Sequence, residues 1–321
     1  MRSVQVVSLA GPTGVEVVDA PEPAVGDREV LVEVHALGVS WPDLLLTRGE
    51  YQLKPDPPFQ LGVDFAGVVR RAPADCPVAV GDRVACCLPY GAGADLVAVS
   101  ADAVFRLPEG LSFEKAAALP LNYLTAQFGL HTRAGLRAGE TVLVHGAAGG
   151  VGTASLQVAR GYGARTIAVV STEEKAAFVR DLGADEVVLV DGFLPAVKDL
   201  TGDAGVDVVV DMVGGDLFTD SLRALGSLGR LLVVGFTAGS IPQVKVNRLL
   251  LNNIDVRGVG WGAYAMARPG FMQGQWEELL PMIESGVVDP PVGTTYPVEE
   301  VGQALRDLED RRVLGKTVLT F

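Results

Sequence analysis

The chain has 321 residues, 49% of them apolar and 20% charged, enough to bury two hydrophobic cores and too apolar for an intrinsically disordered protein. Its 26 Lys and Arg against 39 Asp and Glu leave a formal charge of −13, which argues against a nucleic-acid partner, and no apolar run reaches the length of a membrane span. Three cysteines (Cys76, Cys86 and Cys87) form neither a disulfide framework nor a Cys-x-x-Cys pair, and MRSVQVVSLAGPTG lacks an apolar signal core. A reducing, cytoplasmic location is therefore expected.

The first 110 or so residues hold short β-rich runs between Gly, Pro and Asp: VQVVSL, EVLVEVHALGVS, FAGVVRRA, DRVACCL and ADLVAVS. They predict antiparallel strands of a barrel-like domain. Ser112, with Lys115 three residues on, opens a long helical stretch kinked at Pro120. From Glu140 the pattern becomes strand, helix, strand, helix. TVLVHG, RTIAVVS, EVVLVD, VDVVVDMVG and RLLVVGF read as strands. Helices are expected over VGTASLQVARGYG, TEEKAAFVRDLG, 193–202 and 216–228. Val-rich strands apolar on both faces and alternating with helices predict a doubly wound parallel sheet. NIDVRGVG (253–260) is one further strand, followed by helices over 271–285 and 298–310 and a last strand, KTVLTF.

The stretch TVLVHGAAGGVGTASLQVAR is the most informative. A strand runs into Gly146, Gly149, Gly150, Val151 and Gly152, and a helix begins inside the loop. Small residues there let a pyrophosphate reach backbone N–H groups at the positive end of the helix, and Gly152 allows tight packing of helix on strand. An NAD site usually has an acid at the end of the second strand to bind the ribose diol. Here the strand ends in Ser171 and Thr172, with Lys175 following, two hydroxyls and an ammonium suited to a 2′-phosphate. The same residues also suit a helix N-cap with a solvated lysine, and Glu173 and Glu174 oppose an anion. NADPH is the expected cofactor.

At this loop the chain resembles the medium-chain dehydrogenase/reductase superfamily, in its zinc-free quinone oxidoreductase (zeta-crystallin-like) branch. ALGVSWPDLLLTRGEY, FQLGVDFAGVV, VGDRV, LPEGLSFEKAAALPLNYLTA, GRLLVVGF and LGKTVL match that branch in its order, over nearly the whole chain. The resemblance implies a GroES-like catalytic β-barrel domain over 1–122, completed by 263–321, and an inserted Rossmann domain over 123–262. It also implies a homodimer joined through the 253–260 strand.

Relatives that use zinc hold it with a Cys near the SWPD position and a His in Gly-His-Glu; this chain has Ser40 and Val63 there, and neither is a competent ligand. The four-Cys structural lobe is absent, and His35, His131 and His145 lack ligand spacing. No metal is expected. Without a Lewis acid, an alkoxide is hard to form or break, so the acceptor should delocalise its own negative charge, as quinones and enones do.

By the resemblance, Tyr51 faces the nicotinamide and hydrogen-bonds the acceptor or donates a proton, unless it is only a pocket wall. Ser40, where the family commonly has Asn, and Trp41 line the acceptor pocket, as do Trp261 and Tyr264 unless they are dimer-interface aromatics. Thr125, Gly235 and Phe236 contact the cofactor, and Lys316 belongs to the segment closing over it. Asp43 is expected to form an ion pair with Arg48. Cys86 and Cys87 read as core residues. The expected activity is NADPH-dependent, zinc-independent hydride transfer to a quinone or enone. An enoyl-thioester reductase of the same fold, or an NADPH-binding structural or adaptor protein of low turnover, are the alternatives.

Overall fold

A computed structural model describes residues 1–321. Two compact units divide the chain: Met1–Asn122 with Arg268–Leu280 and Pro290–Phe321, and Tyr123–Ala267 with Pro281–Asp289. The segment after residue 263 is thus shared, because Pro281–Asp289 returns to the second unit, where the Gln157 side chain bonds both the N–H and the carbonyl of Asp289.

The first unit is built on the long strand Glu29–Val39. Its early residues alternate between buried and half-buried, and its last four are buried. It pairs antiparallel with Asp64–Arg71, with Leu96–Ser100 along its first half and with Lys316–Thr320 along its second. The sheet order is Val292–Pro297, Lys316–Thr320, Glu29–Val39, Asp64–Arg71, Arg83–Cys87 and Val104–Arg106, and a three-stranded sheet stands beside it. Val30, Val32, Phe65 and Phe105 are fully buried, each contributing about 1.5–3 kcal/mol by leaving water. Trp276 stacks on Phe105, with ring centroids 5.0 Å apart. Cys86 and Cys87 lie buried in the strand Arg83–Cys87, and burial pushes both thiols well up.

Directly after Val39 the chain turns into the short helix Trp41–Thr47. Pro42 sits in its first turn, where a missing N–H costs nothing, and the Ser40 N–H donates to Asp43 Oδ2 at 2.8 Å. Gly38 pairs with Asp64 and Val39 with Thr317, so strand register alone sets Ser40, Asp64 and Lys316 side by side.

The second unit holds a six-stranded, all-parallel sheet. Its order is Glu186–Leu189, Arg165–Val170, Thr141–His145, Val206–Asp211, Leu225–Val233 and Asp255–Gly258. Numbered along the unit this is 3-2-1-4-5-6, the doubly wound arrangement in which ligands bind beyond the carboxyl ends of the strands. Leu143, Ile167, Val209 and Leu231 are fully buried at its centre.

Two sequence expectations differ from the structure. The helix over 216–228 stops at Ala224, and Leu225–Val233 is already strand. Gly226 is hemmed in by the Ala204 carbonyl, 2.5 Å from where its Cβ would lie, and Leu228 takes a left-handed φ of 64°, so chain crowding ends the helix early. The stretch kinked at Pro120 is two helices, Phe113–Ala117 and Pro120–Gln127, continued by π-helical turns over Phe128–Ala134. A residue before proline is driven from helical dihedrals, and Pro120 itself starts the second helix. The expected Ser112 cap forms, with the Lys115 N–H donating to its hydroxyl at 3.3 Å.

Candidate functional site

The strand Thr141–His145 ends at Gly146, whose φ of +59° turns the chain into the glycine loop, and the helix Gly150–Gly161 begins four residues on. Gly149 is its extended N-cap residue, and its carbonyl accepts from the Thr153 N–H at 2.8 Å. A Cβ on Gly152 would stand 2.3 Å from the Gly146 carbonyl oxygen and 2.7 Å from Ala147 Cα, so only glycine fits. No acid occupies the first helical turn. The loop thus offers a diphosphate the unsatisfied N–H groups of a twelve-residue helix with no opposing charge.

His145, the last residue of that strand, is buried. The Ser221 hydroxyl donates to the Leu217 carbonyl at 2.8 Å, so His145 Nε2–H donates to Ser221 Oγ at 2.8 Å. Burial lowers the imidazole pKa, with Asp211 acting in the opposite direction, and Nδ1 has no partner. The buried ring edge-packs on Phe193 at 4.9 Å, a structural role of the kind expected from its lack of ligand spacing.

The neighbouring strand Arg165–Val170 ends at Ser171 and Thr172. The Thr172 hydroxyl accepts from the Lys175 N–H at 3.2 Å, so Thr172 caps the helix Glu173–Asp181. The Lys175 ammonium lies 3.4 Å from Ser171 Oγ; Ser171 and Thr172 are exposed and Lys175 is half-buried. Gly235 and Phe236 follow Leu225–Val233, in a segment whose Val234 and Thr237 N–H groups donate to the Asp211 and Met212 carbonyls. Thr125 is buried in Pro120–Gln127, and Trp261 is buried at the start of Trp261–Ala265. Tyr264 packs on Phe128, with centroids 5.0 Å apart.

In the first unit, Ser40 and Lys316 are buried at 6% and 3% exposure. Lys316 Nζ donates to Asp64 Oδ2 at 3.0 Å, to Asp64 Oδ1 at 3.2 Å and to Ser40 Oγ. Trp41 and Tyr51 are half-buried. Burial raises the Tyr51 phenol pKa, and the nearby Asp43 and Cys87 raise it further. The Asp43–Arg48 ion pair expected from sequence does not form. Arg48 pairs with Glu309, because the Asp43 carboxylate folds back onto the Ser40 N–H. Asp43 is buried with Oδ1 unpartnered; burial foremost, then Asp64, pushes its pKa up to about 7 against the pull of Lys316. Sequence reading also gave Asp64 no partner, since its cation stands 252 positions away. No group of three or more His, Cys, Asp or Glu side chains is placed to hold a metal ion.

The family model of the alcohol dehydrogenase GroES-like domain matches residues 26–109, and that of zinc-binding dehydrogenase matches residues 150–285. Quinone oxidoreductase-like protein 2 of Rattus norvegicus is 39% identical over 306 residues, 94% of this chain and 87% of that protein. A probable oxidoreductase from Mycobacterium abscessus superposes with a TM-score of 0.92 at 44% identity, over 100% of this chain and 99% of its own. The Escherichia coli quinone oxidoreductase complexed with NADPH does so with a TM-score of 0.91 at 28% identity, over 100% of both chains.

Proposed function

Since the chain belongs to the quinone oxidoreductase branch of the medium-chain dehydrogenase/reductase superfamily, we propose that it is an NADPH-dependent, zinc-independent reductase of quinones and enones. The observation that carries this reading is the glycine loop, whose Gly152 has no room for a Cβ and whose helix start faces no acid. Bound NADPH supplies the hydride. The protein's own part is to hold and orient. The backbone of Gly149, Gly150, Val151 and Gly152 receives the diphosphate, and Ser171 and Lys175 meet the 2′-phosphate, with Thr172 holding the turn between them. Thr125, Gly235 and Phe236 flank the nicotinamide half. Such positioning converts hydride transfer into an intramolecular step, the largest saving available where no covalent intermediate forms.

Tyr51 donates a hydrogen bond to the acceptor oxygen. Its raised pKa keeps the phenol protonated through neutral pH. Trp41 supplies apolar surface in the first unit, and Trp261 and Tyr264 supply it in the second. Zinc does not fit the residues present: Ser40 and Val63 are not ligands, and of the two carboxylates beside them Asp64 already holds the Lys316 ammonium and Asp43 accepts the Ser40 N–H. An acceptor that spreads its own charge removes the need for a metal, which selects conjugated carbonyls. The edge position of the strand Asp255–Gly258, with Ile241, Val246, Leu250 and Leu251 exposed in the segment that precedes it, supports a homodimer formed through that strand. Three free cysteines support a cytoplasmic setting.

The test is a thermal-shift series with NADPH and NADH, then steady-state turnover of 1,2- and 1,4-quinones by chelator-treated protein. A larger shift with NADPH and chelator-resistant turnover are expected. Equal shifts refute the cofactor preference, and turnover of crotonyl thioesters without quinones moves the substrate class.

A further inference from the structure

The open edge of the parallel sheet has a hydrogen-bond inventory of its own. Val259 donates its N–H to the Val233 carbonyl, and the Asn253 carbonyl accepts from the Leu228 N–H. Backbone groups of successive strand residues point to opposite sides, so Asp255 and Arg257 face Leu225–Val233, with which they pair. Ile254, Val256 and Gly258 turn their N–H and C=O groups to the open side. Two of those groups are already satisfied within the chain. The Ile254 N–H donates to the Leu249 carbonyl at 3.2 Å, and the Gly258 carbonyl accepts from Arg133 Nε–H at 2.8 Å. Left over are the Ile254 carbonyl, both groups of Val256 and the Gly258 N–H, a template for another strand.

A two-fold dimer joined edge to edge sets this strand antiparallel to its own copy. Outward residues must face outward residues, which restricts the axis to Asp255, Val256 or Arg257. An axis at Asp255 needs the Ile254 N–H, and one at Arg257 needs the Gly258 carbonyl; both are spent. Each of those registers also sets like charges opposite one another, Asp255 on Asp255 or Arg257 on Arg257. With the axis at Val256 every remaining group finds a partner. The two Val256 residues exchange N–H···O bonds, each Gly258 N–H donates to the partner's Ile254 carbonyl, and Asp255 lies opposite the partner's Arg257. Within one chain Arg257 donates to a single Asp255 oxygen, Oδ2, so Oδ1 is left for the cross-strand pair.

We propose that a second copy of this chain pairs along residues 254–258 with Val256 on the two-fold axis, the Asp255 and Arg257 charges fixing that register. This rests on the homodimer reading and names the contacts that make it. Leu228, Leu250 and Leu251, which are 79%, 76% and 74% exposed in the segments joined to the start of the strand, give the contact apolar area to bury. Arg133 and the Ile254–Leu249 bond close the two ends of the ladder, so the pairing is confined to this short stretch.

The experiment places single cysteines in a Cys76→Ser background, where the remaining Cys86 and Cys87 are buried. Val256→Cys brings two Cα atoms to about 5.5 Å, within disulfide reach, whereas Asp255→Cys or Arg257→Cys leaves them about 8 Å apart. Mild oxidation should link Val256→Cys into a covalent dimer, mapped by peptide mass, and leave the other two unlinked. A second measurement is sedimentation equilibrium of wild type, Arg257→Asp, and Asp255→Arg with Arg257→Asp together. Arg257→Asp should weaken the dimer about 10- to 100-fold, and the double exchange should restore it, which carries the test if a cysteine variant fails to fold. A wild-type dimer in which Arg257→Cys or Asp255→Cys links and Val256→Cys does not overturns the proposal alone, and so does one that Arg257→Asp leaves unchanged. A wild type that sediments as a monomer at every concentration overturns the homodimer reading as well.

Discussion

Replacing Asp43 by Asn removes a buried proton from the pH dependence of folding. Its carboxyl has no partner on Oδ1 and lies beside Asp64, so its pKa rises from 3.8 to about 7 on folding. Folding therefore favours the protonated form. The stability this group contributes is complete below the ordinary carboxyl range and is lost as pH rises through about 7. Each pH unit over which only the unfolded chain is ionised costs about 1.4 kcal/mol. Between pH 5 and pH 8 the wild type should lose about 3 kcal/mol through Asp43 alone. Asp43→Asn is neutral throughout, and its oxygen can still accept the Ser40 N–H. Urea unfolding of both proteins at half-unit intervals from pH 5 to 8 measures the difference. The variant's relative stability should climb with pH and level off above about pH 7. Parallel curves would refute the buried-proton argument, and so would an upward slope for the wild type alone.

Gly152→Ala places a Cβ 2.3 Å from a backbone oxygen, so the loop must shift. About 1–3 kcal/mol of stability and at least tenfold in NADPH affinity should go, read by thermal melts with and without the cofactor. Lys175→Ala should weaken NADPH about tenfold and leave NADH unchanged, the loss shrinking at high salt because the residue is only half-buried. Tyr51→Phe should lower kcat for quinones by about 10²-fold with no change in the NADPH thermal shift, and equal turnover would make the phenol a wall. Arg230, 8% exposed and paired to both Glu140 oxygens at 2.6 and 2.8 Å, should cost about 3–5 kcal/mol in urea unfolding as Arg230→Met, part of it recovered by adding Glu140→Gln.

The parallel sheet was legible because its signal is local. Residues 142–144, 167–170 and 208–210 are apolar on both strand faces, a pattern that only a sheet covered on both sides can bury. The glycine loop was equally plain, since the steric demand of a strand-to-helix turn falls within seven residues, Gly146 to Gly152. Less was readable at Leu225–Val233, where the helix ends early against the Ala204 carbonyl, which a whole strand and helix separate from Gly226 along the chain.

The acceptor side depends on distant parts of the chain. Lys316 and Ser40 are 276 positions apart, and pairing of the first and last long strands brings them into contact. Asp43 looked like a surface partner for Arg48 because sequence proximity favours near neighbours, whereas burial and the Ser40 N–H decided its direction and its proton. Periodicity and steric need are properties of consecutive residues, so composition and spacing alone determined a nucleotide-binding parallel sheet and a separate β-rich unit. Electrostatic partnership depends on distance through space and on exclusion of water. Only the folded chain could decide which carboxylate holds a cation and which keeps a proton.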